Sequence, residues 1–335
     1  MLNSYASPVL NPSAGPFPGN VKVGELLYAN VVESVGEGVE KFKEGDIVVP
    51  VFLGSCEECW DCESESSNIC TKFAFKVEVG MPRDGTSRFR DGKGETLHHF
   101  LFVSSFAEYT VVDVAHLVKI DCGIAVDKAC LLSCGVSTGV GAAWKVAEVH
   151  KGSSVAIFGL GTIGLAVAEG ARLRGASKII GVDLNTEKFT VGKQFGVTYF
   201  LNPKDCQDKP VYEVIKEMTN GGVDYSFECI GLASLMNDAF LSSRPGGGKT
   251  VILGVEMHGA PLSINSMEIL RGKSVMGSLF GGMKPKSDIP LLAQRYLDKE
   301  LNLDNFITHK VSFEDINKAF DLLQQGKSLR CVIWM

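Results

Sequence analysis

The chain has 335 residues, 45% of them hydrophobic, with 33 basic against 39 acidic side chains and a net charge of −6. At the usual domain size of about 150 residues this length supports two cores, and the acidic balance without any Lys/Arg-rich block argues against a nucleic-acid surface. No apolar run approaches the ~20 residues of a membrane-crossing helix, and the opening MLNSYASPVL lacks the basic start and continuous apolar stretch of a secretory signal.

Residues 1–24 read as a divergent leader, and no structure is assigned to the first twenty or so, which are rich in Pro, Ser, Asn and Gly and show neither a period of 2 nor one of 3.6. Residues 25–135 read as a β-rich domain. VVESVGEGVEKFKEGDIVVPV, from Val31, is two β-branched runs joined by a Gly-bearing turn, the second interrupted at Pro50. Residues 81–96 form a polar loop or hairpin, and strand character resumes over 106–120. From Ala125 the text turns helical, and from Val155 strands and helices alternate: VAIFG, TIGLAVAEGARLRG, KIIGVD, TEKFTVGKQFG, then YSFECI, TVILGV and SVMGSLFG. That alternation over 136–279 predicts an α/β fold, a parallel sheet covered on both faces. Residues 280–335 add two amphipathic helical segments and the terminal strand CVIWM.

Ten cysteines are present. Cys56, Cys59, Cys62 and Cys70 form a C-x2-C-x2-C-x7-C run, a spacing that lets four thiolates close around one tetrahedral zinc. Two surface disulfides or four free thiols are the alternatives. Four sulfur ligands leave no open position, so this metal would shape a loop and not react. The other six (Cys122, Cys130, Cys134, Cys206, Cys229, Cys331) are scattered among apolar segments without a disulfide framework, which points to a reducing, cytoplasmic setting.

Phe158 closes a predicted strand, and Gly159-Leu160-Gly161-Thr162-Ile163-Gly164 follows as G-x-G-x-x-G directly before good helix formers. Gly159 permits the tight turn, Gly161 keeps no side chain in the path of a pyrophosphate, and Gly164 lets the helix pack closely. The helix N-terminus then presents N–H groups and partial positive charge to phosphate. Asp183 ends the next strand, where its carboxylate can accept from the adenosine ribose hydroxyls. No Arg follows in Leu184-Asn185-Thr186, so NAD is expected over NADP; Lys188 can reach the same ribose region.

From Val31 to the C-terminus the chain resembles the zinc-dependent medium-chain alcohol dehydrogenases, their plant alcohol-dehydrogenase-like branch in particular. The likeness is carried by VVESVGEGVEKFKEGDIVVPVF, the four cysteines, the text from LLSCGVSTGVGAAWKVAEVHKG to GVDLNTEKF, and SLFGG. It implies a GroES-like domain completed by residues 280–335, a Rossmann domain, an active site in the cleft between them, a homodimer, and hydride transfer between a small alcohol and NAD assisted by a second, catalytic zinc. By the same resemblance Cys134, in Ser133-Cys134-Gly135-Val136-Ser137-Thr138-Gly139, is a ligand of that zinc, Thr138 lies near the nicotinamide, Arg330 reaches the pyrophosphate and Val255 lies near the nicotinamide amide. Two further ligands are expected upstream. At the offset of the family's G-H-E segment this chain carries Glu25-Leu26-Leu27, with Leu26 at the His position. No Cys precedes Cys56, and the first His is His98. The reading is therefore an incomplete catalytic zinc site, with His98, His99 and His116 as surface or structural residues and an N-terminus that departs from the family pattern. The alternative function is a catalytically silent NAD- and zinc-binding subunit partner.

Overall fold

The computed structural model describes residues 9–10, 20–24, 30–76, 80–104, 106–120 and 123–334. They divide into two compact units, Met1–Cys134 with Lys284–Lys299 and Phe306–Met335, and Gly135–Met283 with Glu300–Asn305. Residues 25–29, which include Glu25 and Leu26, and Cys122 lie outside the described residues.

The first unit opens with strands β1 (Val9–Leu10), β2 (Asn20–Gly24), β3 (Asn30–Val35) and β4 (Ile47–Pro50), and the short helix α1 (Trp60–Glu63). Then come β5 (Phe89–Arg90), β6 (Thr96–Leu97), β7 (Tyr109–Asp113), β8 (Leu117–Lys119) and helix α2 (Val126–Ala129). Its main sheet runs β7-β2-β3-β4-β8, all antiparallel, beside a smaller sheet β1-β5-β6. Val32, Val48, Val112 and Leu117 fill one side of the main sheet together with Phe42. One expectation needs correcting: the first twenty residues are not without structure, since β1 lies there and β2 begins at Asn20, and β2 hydrogen-bonds on both edges, to β3 and β7. Pairing on two sides supplies backbone bonds that the weak local pattern around Val21-Lys22-Val23 could not announce.

His99 and His116 are structural. His99 is 4% exposed, its Nε2 accepts from the Arg88 N–H at 3.1 Å, and its ring packs against Phe89 at 4.8 Å. His116 sits between Phe73 and Phe102 with Nδ1 3.0 Å from the Val51 carbonyl. Burial lowers the affinity of both rings for a proton, holding His99 near a pKa of about 4. An unfolded His protonates near 6.5, so between these values the unfolded chain binds the extra proton and stability falls as pH drops. The expected loss from this group is about 3 kcal/mol from pH 7 to below 4. Urea midpoints at pH 7 and pH 4.5 check it: His99→Gln, whose amide oxygen can still accept from Arg88, should lose part of the pH dependence, and identical profiles would refute the assignment.

The second unit begins with α3 (Gly135–Gly141). It continues as β9 (Ser154–Phe158), α4 (Thr162–Leu173), β10 (Lys178–Val182), α5 (Glu187–Gln194), β11 (Tyr199–Leu201) and α6 (Val211–Thr219). β12 (Tyr225–Glu228), α7 (Ala233–Ser242), β13 (Lys249–Ile252), α8 (Ser266–Leu270) and β14 (Ser274–Gly277) complete it. All six strands are parallel in the order β11-β10-β9-β12-β13-β14. The order reverses between β9 and β12, the topological switch point at which open α/β sheets bind ligands beyond their carboxyl ends. Phe158, Ile180 and Val182 pack against Ile215, Val223 and Ala239 on one face. Leu165, Val167 and Ala168 of α4 are fully buried, and at Gly139 a Cβ would lie 2.5 Å from that of Ala166. α3 and α4 can touch this closely only without a side chain there.

The chain then returns to the first unit with α9 (Pro285–Leu297), β15 (Ile307–Ser312), α10 (Ile316–Gln324) and β16 (Arg330–Trp334). Pro285 occupies the first turn of α9, where its missing N–H leaves no bond unmade, and the Asp288 carboxylate accepts from the Lys284 N–H at 2.7 Å. β15 and β16 pair in parallel across α10, whose Ala319 and Ile316 meet Ile333 and Val311. β15 is not foreseen from ITHKVS, in which polar residues alternate with only two aliphatic ones. Among the described residues no single helix is long and apolar enough to cross a membrane.

Candidate functional site

The four predicted cysteines converge. The thiols of Cys56, Cys59, Cys62 and Cys70 all lie within 4.8 Å of one another, with Cys56–Cys62 and Cys59–Cys70 at 3.9 Å. A tetrahedron of sulfurs on 2.3 Å bonds to zinc has edges of about 3.8 Å, so the donor set fits the ion closely. The Phe73 N–H donates to Cys70 Sγ at 3.3 Å, and Ser55 Oγ lies 3.4 Å from Cys62 Sγ. The Cys62 N–H draws the Cys59 thiol down to about 6, whereas burial pushes Cys70 up to about 12. A divalent cation is what lets all four ionise together. Two lysines at the start of α9 secure the lobe. Lys284 Nζ donates to the Cys62 carbonyl at 2.7 Å, and Lys286 Nζ reaches Glu57 and the Val114 carbonyl, each at 3.1 Å. Sequence reading missed both, because 222 positions separate Lys284 from Cys62.

At the carboxyl end of β9 the glycines divide the work by position. Gly159 takes φ +92°, and its N–H donates to the Val182 carbonyl. A Cβ at Gly161 would meet nothing within 4 Å, and one at Gly164 would lie 1.8 Å from the Gly159 carbonyl oxygen. Gly161 thus leaves open space before the N-terminus of α4, while Gly164 admits the turn itself. Leu160 is buried, and Thr162 and Ile163 start the helix. Asp183, just past β10, ties the turn to the next strand: Oδ2 accepts from the Leu160 N–H at 2.8 Å and from Lys188 Nζ at 2.9 Å, and Oδ1 from the Asn185 N–H at 2.9 Å. Three of the roughly four acceptor positions of a carboxylate are therefore taken, one of them by the movable Lys188.

The remaining predicted residues fall in both units. Cys134 ends the first; its thiol is solvent-accessible yet closely surrounded by protein, and that crowding raises its pKa against the pull of the Arg330 cation. Arg330 begins β16 in the same unit. Thr138 is buried within α3, and Val255, beyond β13, is 71% exposed. One residue at the carboxyl edge of the sheet was not anticipated: Glu228, the last of β12, is wholly buried and takes the N–H groups of Ile230 and Gly231, both at 2.8 Å, on Oε1.

Residues 23–122 match the family model of the alcohol dehydrogenase GroES-like domain, and residues 162–298 that of the zinc-binding dehydrogenases. Alcohol dehydrogenase-like 1 of Arabidopsis thaliana is 64% identical over 324 residues, 96% of this chain and 84% of that protein. The chain belongs to the zinc-dependent medium-chain alcohol dehydrogenases. Alcohol dehydrogenase 1 of Petunia hybrida is 51% identical over 91% of this chain and 80% of its own length. Among solved structures, an alcohol dehydrogenase zinc-binding domain protein from Burkholderia ambifaria superposes with a TM-score of 0.86 at 28% identity, covering 96% of this chain and 92% of that one. Benzyl alcohol dehydrogenase from Acinetobacter calcoaceticus shares the fold at a TM-score of 0.83 and 24% identity, covering 97% and 94%.

GroES-like and Rossmann folds are both present in this chain. Among the described residues the four-cysteine lobe is the one place where three or more metal-ligating side chains gather. His99 and His116 are engaged by Arg88 and Val51 within the first unit's interior.

Proposed function

We propose that this member of the family binds NAD at the glycine turn and carries one structural zinc, and that its catalytic metal site is incomplete. Its fold serves hydride transfer between a primary or secondary alcohol and the nicotinamide, giving an aldehyde or ketone, and the missing donors limit that reaction in this chain. The observation that supports the reading is the contrast between an intact turn and a Cys134 that, among the described residues, belongs to no group of three or more metal-ligating side chains. Open space at Gly161 suits a pyrophosphate, and the α4 N-terminus favours its charge. When bound, the cofactor supplies the hydride acceptor. The chain's part is to seat it: a ribose hydroxyl replacing the Lys188 ammonium on Asp183 would find a fixed acceptor, and Lys188 would remain beside the second hydroxyl. A 2′-phosphate at that place would meet the carboxylate with no arginine following, which supports NAD over NADP.

A second reading, a catalytically silent NAD- and zinc-binding subunit partner, gains from the same shortage of donors. The second copy it needs is supported by the β14 edge, which has a sheet neighbour on one side only among the described residues, and by the exposed Met257, Met267, Ile269 and Leu270 nearby in sequence. An apolar edge of this kind fits a homodimer. A cytoplasmic setting agrees with four metal-poised thiols kept reduced.

Fluorescence titration tests the cofactor half. NADH should bind with a dissociation constant below about 1 mM, and NADPH at least about 10-fold more weakly. No NADH binding at millimolar cofactor, or equal affinity for the two, would overturn this assignment.

A further inference from the structure

Glu228 closes β12 beside Phe158 of β9, so it stands at the switch point where the proposed cofactor lies. It is wholly buried, and its two oxygens differ in surroundings. Oε1 takes the Ile230 and Gly231 N–H groups, while Oε2 is buried without a hydrogen-bond partner, in contact range of Gly254, where a Cβ would lie 2.5 Å from it. Burial raises the pKa of the carboxyl, and the surrounding backbone N–H groups oppose that rise.

Three glycines interlock around this side chain. A Cβ on Gly254 would strike the Gly231 nitrogen at 2.1 Å, and one on Gly231, at φ +96°, would strike the Val255 carbonyl at 2.4 Å. Gly159, the first glycine of the dinucleotide turn, would meet the Ile230 side chain at 2.6 Å. The segments after β9, β12 and β13 are therefore packed backbone to backbone, and one carboxyl fixes the middle one. No other side chain hydrogen-bonds the Ile230 and Gly231 N–H groups among the contacts at this edge.

We propose that Glu228 is a positioning residue for the cofactor: by holding Ile230 and Gly231 it sets the height of Ile230 over the Gly159 turn and the place of Val255 at the sheet's carboxyl edge. This rests on the reading that NAD binds at that edge. The residue touches no reacting atom and acts through the two loops. Glu228→Gln keeps an acceptor oxygen for both N–H groups, whereas Glu228→Ala strands them and Glu228→Asp withdraws the acceptor by one methylene.

The test pairs NADH titration with hydrogen exchange of the cofactor-free protein. Glu228→Ala should weaken NADH at least about 10-fold and speed exchange at Ile230 and Gly231, while Glu228→Gln stays within about 3-fold of the parent with exchange unchanged. Should the alanine variant fail to fold, Glu228→Asp decides, with the same expected losses. Parent-like NADH affinity together with parent-like exchange in the folded Ala or Asp variant overturns the proposal, as does a Gln variant as impaired as Ala. Failure of the parent itself to bind NADH counts against the cofactor assignment instead, and the exchange comparison still decides whether Glu228 orders these loops.

Discussion

Serine in place of Cys70 is expected to lower zinc affinity by about 100- to 1,000-fold and to free the 56–70 lobe, with the Rossmann sheet left folded. Structural zinc sites bind with about 10–16 kcal/mol, and a quarter share for one of four thiolates gives that range. Cys70 is the informative choice because it is the buried member of the four, 1% exposed, and the Phe73 N–H already points at its sulfur. A hydroxyl there leaves that donor poorly matched and withdraws one charge from the ion. Competition with a chromogenic chelator reads the affinity, and near- and far-ultraviolet circular dichroism reads the fold. Retention of zinc at parental affinity would show that three cysteines suffice. Collapse of both units on zinc loss would show that the lobe supports much more than itself.

The second large effect separates two glycines three residues apart. Gly161→Ala should leave stability within about 0.5 kcal/mol of the parent, since its φ of −79° suits alanine and the new methyl meets no protein atom within 4 Å. The same variant should weaken NADH at least about 10-fold, because that empty volume is the one assigned to the pyrophosphate. Gly164→Ala should instead destabilise the folded chain by about 1–3 kcal/mol or more, its Cβ being driven onto the Gly159 carbonyl oxygen. Urea denaturation beside cofactor titration distinguishes the pair. An unimpaired Gly161→Ala would mean that the cofactor does not pass over this turn.

Much of this was legible in local text. The glycine turn, Asp183 and the four cysteines are close in sequence, and each needs a particular residue type for a local reason: a positive φ, an absent side chain, a thiolate donor. The parallel strands were equally plain, because burial on both faces demands short continuous apolar runs such as VAIF and KIIGV. What escaped was set by distant partners. β2 is a strand because β3 and β7 flank it, and β15 because β16 lies beside it. Lys284 matters to the zinc lobe only through a carbonyl 222 positions away. Glu228 looked like the end of an apolar strand, and its role emerges only once Gly159, Gly231 and Gly254 are seen packed around it. An acidic residue that closes a buried strand just before a glycine-bearing loop is the signal that could have marked it.

A shortage of zinc donors is what the letters alone lead one to expect, since no Cys or His stands upstream of Cys134 at the family's spacing. In the structure one ring nitrogen of each buried histidine of the first unit meets the backbone, and neither ring joins a group of three or more metal-ligating side chains among the described residues. Thiolate and imidazole donors bind zinc in sets of three or four, and a single thiol is far short of that.

Zinc content of the purified chain, measured by atomic emission after removal of loosely held metal, tests the account most directly. Full occupancy of the four-cysteine lobe and nothing further gives about one zinc per chain. A value of about two per chain, with the second ion lost on Cys134→Ser, would show a complete catalytic site and contradict it.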